Sequence, residues 1–228
     1  MGEIVEFPSN GTSGQGYLAV PASGSGPGVV VIQEWWGLVD HIKDVCDRFA
    51  AEGFTALAPD LYRGEATTEP DEAGKLMMTL NIEQAAKDMS GAVDEVARRS
   101  GNPDGGVAVI GFCMGGGLAL MLGAQRGDKV RAVAPFYGLI PWQGAQPDYT
   151  QMTAAVQGHY AEKDDYFNPA AVAALEKELL DAAVEVEMFV YSGADHAFFN
   201  DERPEVYDAA AAAKAWGRVL EFFRSNVG

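Results

Sequence analysis

The chain has 228 residues, 33 of them acidic and 16 basic, which gives a formal net charge of −17. A hydrophobic content of 48% predicts a large core rather than a disordered chain, and the length suits a single α/β domain over residues 1–228. So negative a surface repels phosphates and anionic lipids, which argues against nucleic acid or a membrane as a partner.

The cysteines and the N-terminus indicate where the protein works. Cys46 and Cys113 are the two cysteines and form no CxxC pair, so we expect neither a metal site nor a disulfide framework. The N-terminal MGEIVEFPSN lacks the basic and apolar regions of a signal peptide, and no apolar run approaches membrane-span length. We therefore expect a cytoplasmic protein in a reducing compartment, as a monomer or small homo-oligomer.

Strand patterns open the chain and a helix pattern follows. Glu3–Phe7 and Gly16–Pro21 are predicted strands around the turn signal SNGTSG. The β-branched run PGVVVIQE is typical of a strand buried on both faces. Asp40–Gly53 has one apolar face and is a predicted helix, with Asp40 capping its start and Gly53 its end.

Strands and helices then alternate to the end of the chain. FTALAPD is a predicted strand, and the irregular stretch Arg63–Asp71 leads into helical segments that end at Arg99. Further strands are predicted at GGVAVIGF, VRAVAPFYG, TAAVQGHY and VEVEMFVYS, and helices at Met114–Arg126, Pro169–Ala183 and Pro204–Asn226. This alternation predicts a mostly parallel sheet of about seven or eight strands with helices on both faces. Ligands bind beyond the carboxyl ends of such strands.

The stretch IGFCMGGG places Cys113 between a predicted strand and a predicted helix. Gly111 and Gly115, two residues to either side, would relieve the crowding of a sharp strand–turn–helix reversal. The helix N-terminus beneath such an apex lowers a thiol pKa, and its N–H groups can hold an oxyanion. The spacing indicates a nucleophile, although a glycine-rich turn around a small buried cysteine has the same pattern.

The chain has three histidines that could serve as a base for this thiol. His41 lies on a predicted amphipathic helix and is expected at a surface or interface. His159 ends an apolar strand and is expected to be structural. His196 lies in SGADHAFFN, directly after the last predicted strand, where the hydrolase order of nucleophile, acid and histidine requires the base.

The same order places the acid after the preceding strand, in HYAEKDDYFNP. This segment offers Glu162, Asp164 and Asp165. A solvated acidic turn is the alternative interpretation, because acidic residues are frequent throughout this chain. The elbow, the acidic segment and the terminal histidine together favour nucleophilic catalysis more strongly than any one of them alone.

Five stretches together resemble the dienelactone hydrolase family of α/β-hydrolases, nearly end to end: VVVIQEWWG, ALAPDLYRG, VIGFCMGGG, HYAEKDDYFNP and YSGADHAFFNDERPEVYD. The cysteine elbow with the Q-E-x-x-G loop is quite specific, since most α/β-hydrolases carry serine at the elbow. The resemblance implies that Cys113 is the nucleophile, His196 the base and Asp164 the acid, with Asp165 as the near alternative.

The resemblance also assigns Glu34 and two backbone groups. Glu34 is expected to hold the resting thiol until substrate arrives, and the N–H groups of Trp35 and Met114 to form the oxyanion hole. The implied reaction is carboxymethylenebutenolidase-like: the thiolate opens a lactone or small ester, and water then releases the acyl-cysteine. No cofactor is implied.

Substrate contacts are predicted from the residues around this site. Family members that act on dienelactone are expected to bind its carboxylate through arginines, but residues 64–97 contain none. Arg63 and Arg203 flank the proposed mouth, whereas Asn200 stands nearer one of the usual arginine positions. Aromatic residues could instead line a pocket for an aromatic or neutral ester, or simply pack in the core: Trp35, Trp36, Tyr137, Phe198 and Phe199.

Three alternative functions stay open. The first is a general carboxylesterase or thioesterase for neutral substrates. The second is a glutamine amidotransferase-like enzyme, although these typically end in His-x-Glu and this chain has His196-Ala197-Phe198. The third is a binding protein that has kept the fold without the activity.

Overall fold

The computed structural model describes residues 2–140, 142 and 145–228. It begins with a hairpin of strands β1 (Glu3–Ser9) and β2 (Thr12–Ala19). Asn10 and Gly11 form its tight turn, with φ angles of 42° and 98°. Both strands are therefore longer than predicted at this end, because Asn-Gly accommodates a two-residue hairpin loop without a wider turn.

The other elements follow in the predicted alternation. The strands are β3 (Gly28–Ile32), β4 (Thr55–Pro59), β5 (Val107–Phe112), β6 (Val130–Phe136), β7 (Ala155–Ala161) and β8 (Val186–Tyr191). The α-helices of the described residues are α1 (Asp40–Ala51), α2 (Pro70–Thr79), α3 (Ile82–Arg99), α4 (Met114–Gln125), α5 (Pro169–Asp181) and α6 (Ala209–Val227).

The described strands form one eight-stranded sheet in the order β1-β2-β4-β3-β5-β6-β7-β8. The hairpin is antiparallel, and β2 also pairs antiparallel with β4. All other neighbours are parallel. The prediction of a mostly parallel sheet of about seven or eight strands is confirmed.

Helices cover both faces of the sheet, which explains why the central strands are continuous apolar runs. Along β3, Val30 and Ile32 join the core layer formed with α3, α4 and α5. Val29 and Val31 point the opposite way and join the layer formed with α1 and α6. Side chains of a strand alternate between faces, so a strand with two covered faces needs apolar residues at every position.

The starts of two helices differ from the prediction. The last helix begins at Ala209 rather than near Pro204, because the Asp208 side chain accepts hydrogen bonds from the N–H groups of Ala210 and Ala211, both at 3.0 Å. Helix α1 has Val39 at its N-cap without a side-chain cap, so Asp40 is a first-turn residue rather than the predicted cap.

The prediction that His41 lies at a surface or interface is wrong. Its side chain is fully buried, and its ring lies edge-on to Phe112 and Phe199. Its Nδ1 atom lies 3.3 Å from an Asp201 carboxylate oxygen. His159 agrees with its predicted structural role, because it is fully buried and its ring nitrogens contact the Tyr191 hydroxyl and the Gln157 side chain.

Candidate active site

Cys113 forms the turn between β5 and α4 in a strained backbone conformation, with φ 53° and ψ −120°. Its N–H donates to the carbonyl of Phe136 at 3.0 Å. A Cβ added to Gly111 would lie 2.0 Å from the Gly115 carbonyl oxygen, and one added to Gly115 would lie 2.4 Å from the Gln33 carbonyl oxygen. Both elbow glycines are therefore required for close backbone packing.

His196 and Asp164 meet beyond the ends of β8 and β7. The His196 Nδ1 atom lies 2.7 Å from Asp164 Oδ2, and only 2% of Asp164 is exposed. The other carboxylate oxygen accepts hydrogen bonds from the N–H groups of Tyr166 and Phe167, at 2.8 and 3.0 Å. Asp165, the alternative acid, is exposed.

The electrostatics of this pair favour a charged imidazole. Burial disfavours protonation of His196, but its hydrogen bonds to Asp164 and Cys113, together with the negative charges of the ionised sulfur and the carboxylate, outweigh burial and raise the pKa of His196 to about 10. Burial alone would raise the pKa of Asp164, yet the bonds from His196 and from two backbone N–H groups hold it below the ordinary value. The structure thus brings the three predicted triad residues together.

Glu34 lies just beyond β3 and is 1% exposed. Its Oε2 atom accepts a hydrogen bond from the Asn200 side chain at 2.8 Å. The Tyr137 hydroxyl is buried without a well-aligned hydrogen-bond partner among the described residues. Burial, and then the nearby charges of Glu34 and Cys113, raise the pKa of Tyr137 well above its ordinary value, so this phenol stays a neutral donor.

Two backbone N–H groups are available near the thiol. In the described parts of the chain, neither the Trp35 nor the Met114 N–H donates a hydrogen bond to another protein group. Met114 opens helix α4, so the helix dipole points its positive end toward this position. These are the two groups predicted to hold the oxyanion.

Aromatic side chains surround the triad. The rings of Trp35 and Trp36 pack edge-on with centroids 4.9 Å apart, and the Arg203 guanidinium lies 5.7 Å from the centre of the Trp36 ring. Tyr137 packs edge-on against His196 at 5.2 Å. Phe198 is fully buried and packs on Tyr137 at 5.4 Å.

The two predicted arginines lie in different settings. Arg203 is half-buried, and its Nε donates to Glu205 at 2.9 Å. Its charge reaches the site, because it opposes the rise in the pKa of Tyr137. Arg63 is instead bonded to the buried Asp88 carboxylate at 2.8 and 2.9 Å, on helix α3. Asp88 therefore competes with any substrate anion for Arg63.

Sequence reasoning did not assign four residues that the structure places here. Tyr62 donates to the Met114 sulfur at 3.5 Å, and burial with the charge of Cys113 raises its pKa. Tyr166 and Phe167 pack against the His196 ring at 5.4 and 6.0 Å. Asn200 binds Glu34. Tyr62 lies three residues after the end of β4, which was a usable signal, whereas the contact of Asn200 depends on how its loop folds back.

The fold and the elbow define an α/β-hydrolase. The sequence model of the Dienelactone hydrolase family matches residues 15–227. The chain is 40% identical over 230 residues to "Protein usf" of Aquifex pyrophilus, with 98% of each chain covered. It is 37% identical to the "Putative carboxymethylenebutenolidase" of Aquifex aeolicus, with 99% of each covered.

A solved structure is also similar. The "Putative Dienelactone Hydrolase" of Klebsiella pneumoniae superposes with a TM-score of 0.87 at 29% identity, with 98% of each chain covered. The chain therefore belongs to the dienelactone hydrolase family and is a carboxylic ester hydrolase of that class.

None of the helices in the described residues is both long and apolar enough to span a bilayer. The same residues contain no group of three or more His, Cys, Asp or Glu side chains arranged to hold a metal ion.

Proposed function

We propose that this protein opens a lactone or cleaves a small carboxylic ester through a Cys113-His196-Asp164 triad and an acyl-cysteine intermediate. The observation that supports it most is the 2.7 Å contact between His196 Nδ1 and Asp164 Oδ2, with the other side of the imidazole at the Cys113 thiol. Covalent acyl transfer requires a nucleophile in contact with a base, and an acid that orients this base from its other side.

In the proposed acylation, the Cys113 thiolate attacks the carbonyl carbon while the N–H groups of Trp35 and Met114 hold the oxyanion. Collapse of the tetrahedral intermediate breaks the bond to the leaving oxygen, and protonated His196 supplies its proton. With an enol lactone the leaving oxygen is an enolate, which takes up the His196 proton and stays attached to the acyl group through its own carbon chain.

In the proposed deacylation, His196 takes a proton from water and the resulting hydroxide attacks the thioester. Asp164 keeps the imidazole oriented and stabilises its positive charge. Collapse of this second tetrahedral intermediate breaks the C–S bond, and the Cys113 sulfur recovers a proton from protonated His196. The acid product loses its proton to solvent and leaves as a carboxylate. Glu34 is proposed to restrain the thiol in the free enzyme, since a negative neighbour disfavours thiolate formation.

The substrate side of the proposal rests on Trp36, Tyr137, Phe198 and Arg203. Arg63, the second predicted cation, is bonded to Asp88 and is proposed to contribute little to substrate binding. Trp36 and Arg203 lie against each other, so an aromatic surface and a positive charge are available together. This pairing suits a small carboxylate-bearing lactone. A neutral aryl ester, which would use the aromatic surface alone, is the second candidate because Arg63 is already bonded to Asp88.

The test uses the two cysteines as matched sites. Cys113→Ala is expected to lower the hydrolysis of lactones and aryl esters by about 10⁴-fold or more, whereas Cys46→Ala retains most of the activity. Cys46 is fully buried on α1, while Cys113 is partly exposed. Mass spectrometry of the quenched wild-type enzyme should find the acyl group on Cys113. A Cys113→Ala protein that keeps most of its activity would overturn the proposal.

A further inference from the structure

A single side chain connects the loop that carries His196 to the carboxylate of Glu34. Asn200 lies four residues after His196 and is 2% exposed. Its Nδ2 donates to Glu34 Oε2 at 2.8 Å, and its Oδ1 accepts the N–H of Glu202 at 3.1 Å. Each end of this amide therefore has a defined partner.

The loop around Asn200 is itself held in place. The Asn200 N–H donates to the carbonyl of Ala197, which has a left-handed φ of 66°, and the Asn200 carbonyl accepts from the N–H of Arg203. A buried amide with both ends bonded and its backbone fixed has little freedom to rotate. Its donor therefore points at Glu34 in one orientation.

Glu34 has few other partners for its charge. Tyr137 faces it from the end of β6, but that hydroxyl makes no well-aligned bond among the described residues. The charges of Cys113 at the elbow and Arg203 on the histidine loop reach the same hydroxyl, and His196 packs on its ring. The well-aligned hydrogen bond to the Glu34 carboxylate comes from Asn200, while the Tyr137 hydroxyl makes a poorly aligned contact with the same group.

We propose that Asn200 is a positioning residue for Glu34. Its amide fixes the carboxylate relative to the catalytic thiol and ties that orientation to the loop that carries the base. A charged buried acceptor loses far more than a neutral one when its donor is removed, so this one bond has a large effect on Glu34. The inference rests on the proposed function, because it assumes that Glu34 acts on Cys113.

The test measures alkylation of Cys113 by iodoacetamide as a function of pH, with the labelled cysteine located by mass spectrometry. Asn200→Asp keeps an acceptor for the Glu202 N–H but places a second carboxylate against Glu34. Two facing carboxylates share a proton, so the plot of alkylation rate against pH should show an additional ionisation. Labelling should be roughly tenfold slower at pH values above that ionisation. Asn81→Asp is the matched control, because that side chain caps α3 through an oxygen that aspartate retains.

A charge swap completes the test. In Glu34→Gln/Asn200→Asp, an amide again faces a carboxylate with the donor and acceptor exchanged. In this double variant the additional ionisation should disappear. Its melting temperature, lowered in Asn200→Asp, should return toward that of the wild type. Asn200→Leu, which removes both bonds, should change the alkylation profile in the same direction as Glu34→Gln, because an unpositioned carboxylate acts less on the thiol.

Two outcomes would overturn the proposal. If Asn200→Asp has the wild-type alkylation profile while Asn200→Leu has an altered one, Asn200 acts only on the loop, through its bond to Glu202. If Asn200→Asp alters the profile equally with and without Glu34→Gln, it does not act through Glu34. Alkylation requires no substrate, so a failure of the proposed hydrolysis would leave these results interpretable.

Discussion

Asp164 differs from its neighbour Asp165 in what its carboxylate contacts. Asp164 is buried, bonds His196 and accepts two backbone N–H groups, whereas Asp165 is exposed. Asp164→Asn should lower kcat by about 10³–10⁴-fold, because the amide favours the wrong imidazole tautomer. Asp165→Asn should retain most of the activity. Steady-state kinetics of both variants on one ester checks this, and a more damaging Asp165→Asn would move the acid by one residue.

Arg203 provides a test of substrate charge. Its guanidinium lies over Trp36, and Glu205 holds it only at the exposed side of the site. Arg203→Ala should raise KM for a carboxylate-bearing lactone by roughly tenfold or more, the scale of one charge-assisted hydrogen bond, and hardly affect a neutral aryl ester.

Arg63→Ala is the control for this prediction. Its charge is already bonded to Asp88, so its loss should affect both substrates alike and weakly. If Arg203→Ala also affected both substrates equally, its role would be structural. If the wild type did not turn over the anionic lactone at all, neutral esters or lactones would be the substrates.

The residues that sequence reasoning placed well are those whose position follows from order along the chain. Cys113, Asp164 and His196 each follow a strand, and parallel strands bring their ends to one edge. His41 was misplaced although its spacing carried the signal: it lies four residues before Val45 and eight before Phe49, both buried on the same helix face. Its residue type was given more weight than its periodicity.

At the level of elements, the boundaries of α6 show two competing signals. Pro204 is a residue type favoured in a first helical turn, whereas Asp208 is a preferred N-cap. The cap prevails, and the Val206 and Tyr207 N–H groups instead bond the Arg203 carbonyl in a separate turn. That turn holds Arg203 beside Trp36, so the late start of the helix determines where this guanidinium lies.

Alanine is expected to have opposite effects on stability at two helical glycines. Alanine at Gly115 would place Cβ 2.4 Å from the Gln33 carbonyl oxygen and 2.6 Å from that of Ile32, so the elbow must shift. We expect Gly115→Ala to lower the free energy of unfolding by about 2–4 kcal/mol and to abolish activity. Gly217 on α6 has open space around the same position, so Gly217→Ala should raise the free energy by about 0.5–1 kcal/mol.

Urea unfolding and ester hydrolysis of both glycine variants check this pair. A Gly115→Ala protein with normal stability and turnover would show that α4 does not need its close approach to β3. If Gly217→Ala were destabilised, the space around α6 would be filled by something other than solvent.

At the scale of the whole molecule, the class of fold was predictable but the strand order was not. Continuous apolar runs such as Gly28–Ile32 predict strands covered on both faces, and the helices that connect successive strands predict parallel pairing. The placement of β3 between β4 and β5 depends instead on which strand each returning helix packs beside. That choice involves contacts far apart in sequence, which a local pattern does not contain.

Two histidines, the partly exposed His196 and the fully buried His159, set opposite limits on stability across pH. The folded-state pKa of His196 is raised to about 10, so the folded protein keeps a proton that the unfolded chain releases above about pH 6.5. Its contribution is present below that pH and is lost as pH rises to about 10. Burial, and secondarily the charge of Arg218, lower the pKa of His159 to about 3. The unfolded chain then gains a proton first, so stability falls as pH drops from about 6.5 towards 3.

These signs predict a maximum in the free energy of unfolding near about pH 6.5, and one variant tests each side. His159→Gln should no longer show the fall in stability on the acid side that His159 causes in the wild type. One histidine contributes at most about 1.4 kcal/mol per pH unit, so the difference in free energy of unfolding between the wild type and this variant should shrink by up to that amount per unit below about pH 6.5. His196→Asn should no longer show the fall in stability that His196 causes on the alkaline side, so its free energy of unfolding should approach that of the wild type as pH rises toward about 10. Denaturant titrations between about pH 4.5 and 9.5 measure both. Curves that stay parallel to that of the wild type would mean that other groups, among the many carboxylates of this acidic chain, set its pH response.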